Sequence, residues 1–484
     1  MVDPESRGGH GGFNKILKHV RSFYGFEPAY KKLSAYLTVI CSPGVNILLP
    51  DHGTCLIGRI HNRILHDRVV TADLQDLTQL LNQVNAIENA GELENLEKEL
   101  SAFQGGWFVV RVTERDIIIT RDFPGFLPVY FLRGNQFTAF SSSPDLLGKV
   151  KILLEEPIVT GAVPPGITSL NDRLTRPLQR SFAHPVVAVQ RGKSTYQDLH
   201  LVMKLLEKQL SLALEACLLT VSRDEPVAVL LSGGVDSSVL VLLLERIGFS
   251  RYELFFTGIP GSKDLPYARL IADHIDKQLI EILIDSDHFD RALHLLMTFL
   301  PREISLNPLH VSIALPSLLV LQEIKSRGLT YFLAGQGADE LFGGYARYRE
   351  LYEQNKFDEL TSSLRQDVLK IGPQNLDRDS FIATLVELNP LLPYLDTRVI
   401  SQVTSMDLTL LFGERGSKTP GKIILRELAL ELGIPESIAY RSKTAMQYGT
   451  GVMRLLKKKA RKQNKSLREW LKEQSEQVKG NTNE

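Results

Sequence analysis

Five apolar residues, Val227–Leu231, run without interruption into Ser232-Gly233-Gly234-Val235-Asp236-Ser237-Ser238 and then into the apolar periodicity of SSVLVLLLERIG. An unbroken β-branched run of this kind reads as a strand covered on both faces, which is the habit of parallel sheets. A parallel strand reaches its neighbour only through a crossover, usually helical, so this passage commits the surrounding chain to alternating strands and helices. The alternation follows as YELFFTGI, YARLIADHI and QLIEILID, and later as TYFLAG ahead of ADELFGG. Residues 196–455 therefore read as a doubly wound α/β domain, in which ligands sit beyond the carboxyl ends of the strands.

The preceding 195 residues have another texture. Short strand-like runs (LTVI, NILL, TCLIGRI, WFVVRV, DIIIT, LPVYFL, FTAFSS) are interrupted by the helical stretches LQDLTQLLNQV and NAGELENLEKELSAF. This predicts an α+β domain of stacked sheets over 1–195, with residues 1–14 Gly-rich, polar and disordered, and with the Pro-Pro-Gly at 164–166 opening its exit. The 456–484 stretch is a basic, partly disordered tail. Ten Lys and Arg face three acids between 454 and 479, and Leu455, Leu456, Leu467, Trp470 and Leu471 would anchor an otherwise solvated amphipathic face.

Composition bounds the function. The chain has 484 residues, more than one core usually holds, and 43% are apolar and 23% charged, an ordinary globular balance. Fifty-six basic residues match 56 acidic ones, so neither nucleic acid nor an anionic membrane is expected as a partner. The stretch VAVLLSGGVDSSVLVLLL is broken by Gly233, Gly234 and Asp236, which a bilayer would penalise. The start, MVDPESRGGHGGFNK, has no apolar core and does not read as a secretory signal; a soluble, cytoplasmic protein is expected. Cys41, Cys55 and Cys217 form no CxxC pair, and so neither a disulfide framework nor a zinc pattern.

The Ser232–Ser238 loop carries the chemistry. Its two glycines let the backbone approach a ligand, the helix start offers free N–H groups to an anion, and Ser232, Ser237 and Ser238 add hydroxyls. Asp236 would repel a bare phosphate, so its presence implies an intervening Mg2+. The alternative is a tight strand–helix turn with serine caps. No lysine lies in this loop, which excludes a Walker A P-loop. The GSKTPGK stretch at 416–422 fits GxxxxGK, but Ile423 replaces the required Ser or Thr and no buried strand precedes it. A second glycine-rich loop, Ala334-Gly335-Gln336-Gly337-Ala338-Asp339-Glu340-Leu341-Phe342-Gly343-Gly344-Tyr345, also follows an apolar strand and puts Asp339 at a helix start. Asp236 and Asp339 could then hold Mg2+ against a pyrophosphate.

Together these loops resemble the synthetase domain of asparagine synthetases, within the ATP-pyrophosphatase (PP-loop, HUP-like) superfamily. That family's LSGGxDSS, SGEGADELFGGY, PFLD, KxxLR and RxKxxxxxG stand here, in order, as LSGGVDSS (231–238), AGQGADELFGGY (334–345), PYLD (393–396), KIILR (422–426) and RSKTAMQYG (441–449). The resemblance implies that Leu231, Thr257, Ala334 and Gly335 contact the adenosine of ATP. It implies that Ser232, Gly233, Gly234, Asp236, Ser237 and Ser238 cradle the pyrophosphate, and that Asp236 and Asp339 bind Mg2+. Lys443 and Lys422 would balance charge at the α-phosphate. The reaction implied is adenylation of a carboxylate, foremost the β-carboxylate of aspartate, and displacement of AMP by ammonia.

Two departures qualify this. The family's GEG is Gly335-Gln336-Gly337, and glutamine cannot act as the base that the glutamate is thought to supply. GQGADELFGGYAR with AMQYG resembles the archaeal-type branch and the eukaryotic asparagine synthetase domain-containing proteins. Glutamine-dependent members begin Met-Cys-Gly, whereas this chain begins Met-Val-Asp-Pro, and Cys41 and Cys55 fall inside strand-like runs. RDFPGFLPVYF (121–131) with AFSSSPDLL, and GRIHN (58–62), resemble parts of the class II glutaminase (Ntn-type) domain, without its RHRGP segment. The N-terminal domain is therefore expected to be a degenerate glutaminase fold, with ammonia as nitrogen source. Alternatives are amide formation on another acceptor, as in β-lactam synthetases and lasso-peptide cyclases, and a non-catalytic nucleotide-binding scaffold. A homodimer is compatible with each.

Overall fold

The computed structural model describes residues 199–222, 224–413, 421–441 and 445–481, and before them eleven strands with residues 122, 125, 126 and 129 of one turn. The chain folds as two compact units. One comprises 1–185 with 372–377, and the other 186–371 with 378–484.

In the first unit the strands are β1 (Ala29–Lys32), β2 (Thr38–Cys41), β3 (Asn46–Leu48), β4 (Thr54–Leu65), β5 (Arg68–Val70), β6 (Phe103–Val112), β7 (Asp116–Arg121), β8 (Tyr130–Arg133), β9 (Thr138–Ser141), β10 (Val159–Ala162) and β11 (Gly166–Asn171). All pairings are antiparallel. The largest sheet runs β11-β7-β6-β4-β3 with β5 on β4, a second runs β10-β8-β9, and β1 pairs β2. β4 and β6 align over most of their length, with an irregularity between Ile60 and Asn62. Phe108 and Val110, two apart on β6, share one face by the strand's two-residue period. They are buried in a cluster with Ile119, Val129 and Phe131. The RDFPG turn closes on itself: Asp122 accepts from the N–H groups of Gly125 (3.0 Å) and Phe126 (2.6 Å), and Arg121 donates to Gly125 O at 2.9 Å.

The second unit is built on β12 (Val227–Leu230), β13 (Tyr252–Gly258), β14 (Leu279–Leu283), β15 (Tyr331–Leu333) and β16 (Asn389–Leu391). They form one sheet in the order β14-β13-β12-β15-β16, parallel throughout. This is the parallel α/β arrangement that the uninterrupted VAVLL run requires. Val227, Ala228 and Val229 are fully covered, and most of the following helix, Val235–Arg246, is buried apart from Asp236 and its last two residues. β12 enters the sheet first yet lies at its centre, with later strands on both sides. The carboxyl end of β12 is thus the switch point where a ligand crevice opens. Its register with β15 (Val229 opposite Leu333) brings the two glycine-rich loops side by side.

Two helices, Val452–Lys462 and Leu467–Asn481, run through the stretch expected to be partly disordered. Leu456, Trp470 and Leu471 are buried, which ties both helices down, while Arg454, Lys457, Lys458, Arg461 and Lys462 face outward. Among the described residues no helix is long and apolar enough to cross a membrane.

Two measurements test this packing. Leu254, at the centre of β13, is fully buried; Leu254→Ala should cost about 3 kcal/mol in urea unfolding, by lost transfer energy and a residual cavity. Glu340 is also buried, accepts a hydrogen bond from Tyr345 at 2.5 Å, and has its carboxyl pushed above its ordinary 4.5 by burial. Above pH 4.5 the folded state keeps a proton that the unfolded chain has released, so this group's contribution falls as pH rises through that window. The stability of Glu340→Gln relative to wild type should therefore increase from about pH 4 to about pH 8, and a flat difference would show that the carboxyl titrates normally.

Candidate functional site

The loop after β12 is shaped by what lies beneath it. Gly233 has φ +69°, and a Cβ there would come within 2.5 Å of Ala268 N and 2.7 Å of Tyr267 C, so only glycine fits. The serine hydroxyls bind the loop to itself. Ser232 Oγ lies 3.1 Å from Ser237 Oγ, and Ser237 and Ser238 donate to Gly234 O at 3.3 and 2.9 Å. The helix that follows has no side-chain cap. Its first N–H groups and the positive end of its dipole suit an anion, as the sequence predicts for this loop.

Beside this loop stands an ion triad. Lys422 Nζ lies 2.6 and 2.7 Å from the two oxygens of Asp236 and 2.6 Å from Asp339 Oδ1. The lysine is 2% exposed, and burial draws its pKa below 10.5 against the pull of Asp236. Two carboxylates that share one ammonium at these distances are close enough to share a divalent ion. Among the described residues no group of three or more His, Cys, Asp or Glu is placed to hold a metal. A pair of carboxylates nonetheless suits Mg2+, which takes hard oxygen donors and leaves the rest of its shell to phosphate and water. Close approach is built in: a Cβ at Gly344 would overlap the Asp339 carboxylate and reach within 2.5 Å of Lys422 Cε. Lys422 itself, a non-glycine residue, has φ +58°.

Arginines and a tyrosine frame the triad. Arg426 is 1% exposed and donates to Gly421 O (2.6 Å), Arg441 O (3.0 Å) and Ala439 O, fixing the turn that presents Lys422. Arg441 pairs with Asp264, donates to Gly233 O at 3.2 Å and covers the Tyr267 ring at 4.0 Å, holding the glycine loop from below. Tyr394, from the PYLD segment, is fully buried and donates to Asp236 O at 2.9 Å. Asp396 of the same segment caps the next helix through Arg398 N.

On the side assigned to adenosine, Leu231 and Ala334 are buried, and Leu231 N bonds Phe255 O at 2.9 Å. Thr257 and Ser262 are 7% and 6% exposed, and among the described residues neither hydroxyl has a partner. Buried hydroxyls ordinarily find partners, so two orphans, one at the end of β13 and one in the loop after it, fit a polar ligand there. A Cβ at Gly335 would sit 3.2 Å from Asp236 Cβ, which places the second loop directly against the first. Gln336 donates through Nε2 to Asp379, whose carboxylate is chelated by Arg378 at 2.7 and 2.9 Å.

Of the residues singled out in sequence, Lys422, Gln336, Ser232, Gly233, Gly234, Asp236, Ser237, Ser238, Thr257, Gly335 and Asp339 cluster at the carboxyl ends of β12, β13 and β15. Lys443 lies outside the described residues. The supporting residues Arg426, Arg441 and Tyr394 sit inside quoted motifs but carried no assigned role. Asp264 and Asp379 had no local signal, because only folding brings them to Arg441 and Gln336.

The family model described as asparagine synthase matches residues 206–370 and 352–480, more than half of the chain. The putative glutamine-hydrolyzing asparagine synthetase 1 of Methanocaldococcus jannaschii is 29% identical over 268 residues, 49% of this chain and 48% of that protein. Asparagine synthetase B of Escherichia coli is 26% identical over 243 residues, 47% of this chain and 42% of that protein. Glutamine-hydrolyzing asparagine synthetase 2 of rice is 24% identical over 352 residues, 70% and 56% respectively. The chain spans about half the length of these curated relatives. A solved structure, the U34-tRNA thiolase NcsA of Methanococcus maripaludis, has a TM-score of 0.26 at 13% identity, covering 58% of this chain and 79% of that one, a likeness too loose to bear on the site. The matched span contains both glycine-rich loops, the ion triad and its frame, and this chain belongs to the asparagine synthase family.

Proposed function

We propose that the protein forms an amide bond in two steps at the expense of ATP. A substrate carboxylate attacks the α-phosphorus, forming a mixed anhydride with AMP as the bond to pyrophosphate breaks. Ammonia then attacks the acyl carbon, AMP leaves, and one proton is released. The acid favoured is aspartate, through its β-carboxylate, which yields asparagine. The observation that carries this reading is the Asp236–Lys422–Asp339 triad, with its lysine buried and its aspartates partly exposed, set between an uncapped helix start and a second glycine-rich loop.

Each part has a task. The N–H groups opening the helix Val235–Arg246 and the Gly233-Gly234 backbone receive the departing pyrophosphate. Asp236 and Asp339 would hold Mg2+, which when bound balances phosphate charge. Lys422, already desolvated, lies where negative charge develops and needs no solvent reorganisation to meet it. Lys443 belongs to the same set by its place in RSKTAMQYG. Thr257 and Ser262 offer their hydroxyls to the nucleoside, with the main chain of Leu231, Ala334 and Gly335 beside them.

Free ammonia is the proposed nitrogen source. Cys41 and Cys55 lie within β2 and β4, and the partly buried Cys217 has its thiol pushed up to about 12 by burial, so it is protonated at neutral pH and a poor nucleophile. The unit before residue 186 then keeps a glutaminase-like form without that reaction.

Mg2+-dependent ATP–pyrophosphate exchange, run with aspartate, with glutamate and without acid, is the test. Exchange should require aspartate, asparagine should appear with ammonium but not with glutamine, and Asp339→Asn should lower exchange at least about 100-fold. Exchange with another acid alone would transfer the chemistry to a different acceptor. Absence of exchange with every acid would leave a nucleotide-binding scaffold.

A further inference from the structure

A second polar chain lies at the same edge of the sheet. His310, near the start of the helix Pro308–Ser326 that leads to β15, stands 3.3 Å from Arg378 Nη1. Arg378 is 3% exposed and grips both oxygens of Asp379, which stands in the first turn of the helix leading to β16. Asp379 in turn accepts from Gln336. In a parallel sheet the starts of the connecting helices and the ends of the strands share one edge, so this chain converges where the two loops meet. His310 is held neutral by burial and by the adjacent guanidinium, so its Nδ1 accepts from Arg378. An ionised carboxylate only accepts, so the Gln336 amide must present Nε2 to Asp379 and keep Oε1 as an acceptor for something else. Asp379 retains 20% of its side-chain surface, against 3% for Arg378, so its carboxylate, like the partly exposed Gln336 beside it, is within reach of a small molecule.

Amide formation makes a demand that the triad does not meet. As the amine nitrogen bonds to the acyl carbon it becomes cationic, and it must lose a proton as the C–O bond to AMP breaks. Lys422 is a cation, and Gln336 has no basic atom at neutral pH. Building on the proposed function, we infer that Asp379 is the catalytic carboxylate for the amine. It attracts the incoming nitrogen, accepts the proton of the cationic adduct and releases it to water, while Gln336 Oε1 accepts an N–H from the same nitrogen. Arg378 and His310 are positioning residues that fix the carboxylate.

The test separates the two half-reactions in the full-length protein. Asp379→Asn should keep ATP–pyrophosphate exchange within about threefold of wild type, yet lower amide formation from ammonium about 100-fold or more, the range for a lost general base. Hydroxylamine, a weakly basic amine that is neutral at working pH and sheds its proton more readily, should still trap the acyl-adenylate as hydroxamate. Adding Gln336→Glu to Asp379→Asn returns a carboxylate to the site and should recover part of the ammonium rate. Equal ammonium rates in Asp379→Asn and wild type would overturn the inference. So would parallel loss of exchange, which would mark Asp379 as merely structural. If wild type shows no exchange with any acid, the proposed function itself fails and takes this inference with it.

Discussion

The Asp236–Lys422–Asp339 triad sets the terms for the rest of the second unit. A buried ammonium is tolerable only beside carboxylates, and two carboxylates this close are tolerable only beside a cation. The three residues come from three distant parts of the chain: the turn after β12, the turn after β15 and the segment preceding the helix Ile423–Glu431. Keeping them within 2.7 Å obliges the backbone to conform. Gly344 must lack a side chain, Lys422 must accept a left-handed φ, and Arg426 must bury its guanidinium among three carbonyls to hold that turn.

Seen from the triad, the ordered motifs become one construction. Tyr394 of PYLD supports the carbonyl of Asp236, so the segment after β16 steadies the loop after β12. Arg441 of RSKTAMQYG links the Gly233 carbonyl to Asp264, and backbone bonds from Ile259 N to Thr450 O (2.9 Å) and Lys263 N to Gly449 O (3.1 Å) bring the end of that motif against the loop after β13. A parallel sheet with β12 central makes these meetings geometrically cheap, because every loop involved leaves the same edge.

The periodicity of Val227–Leu231 and the alternation after it made the parallel sheet legible, because a doubly covered strand has an unmistakable composition. The glycine-rich loops were legible for a related reason: few backbones need Ser-Gly-Gly or Gly-Gln-Gly at a strand end. Lys422 was harder to read. It sits in a stretch that mimics a phosphate loop, and its real relation is to carboxylates 186 residues away and at the β15 turn. Asp264, Asp379 and His310 are ordinary polar residues in sequence and acquire meaning only through partners that the fold supplies. In the basic tail the spacing of the apolar residues was the readable signal: Leu456, Trp470 and Leu471, named as anchors in sequence, are buried, while the cations lie on the other face.

Under the proposed function, charge would also govern the form in which a nucleotide enters. Two carboxylates against one ammonium leave the triad negative, and a bare nucleotide triphosphate approaching it would be repelled at short range. The uncapped helix end offers only a partial positive charge and cannot offset that alone. A nucleotide arriving with a divalent cation meets a different field. Asp236 and Asp339 would hold that cation in place of part of their pairing with Lys422, and the lysine would then be free to turn toward the phosphates. Under the proposed function the ammonium of the triad would serve both states of the site: it pairs with the aspartates, and it is already desolvated and nearby for the phosphates.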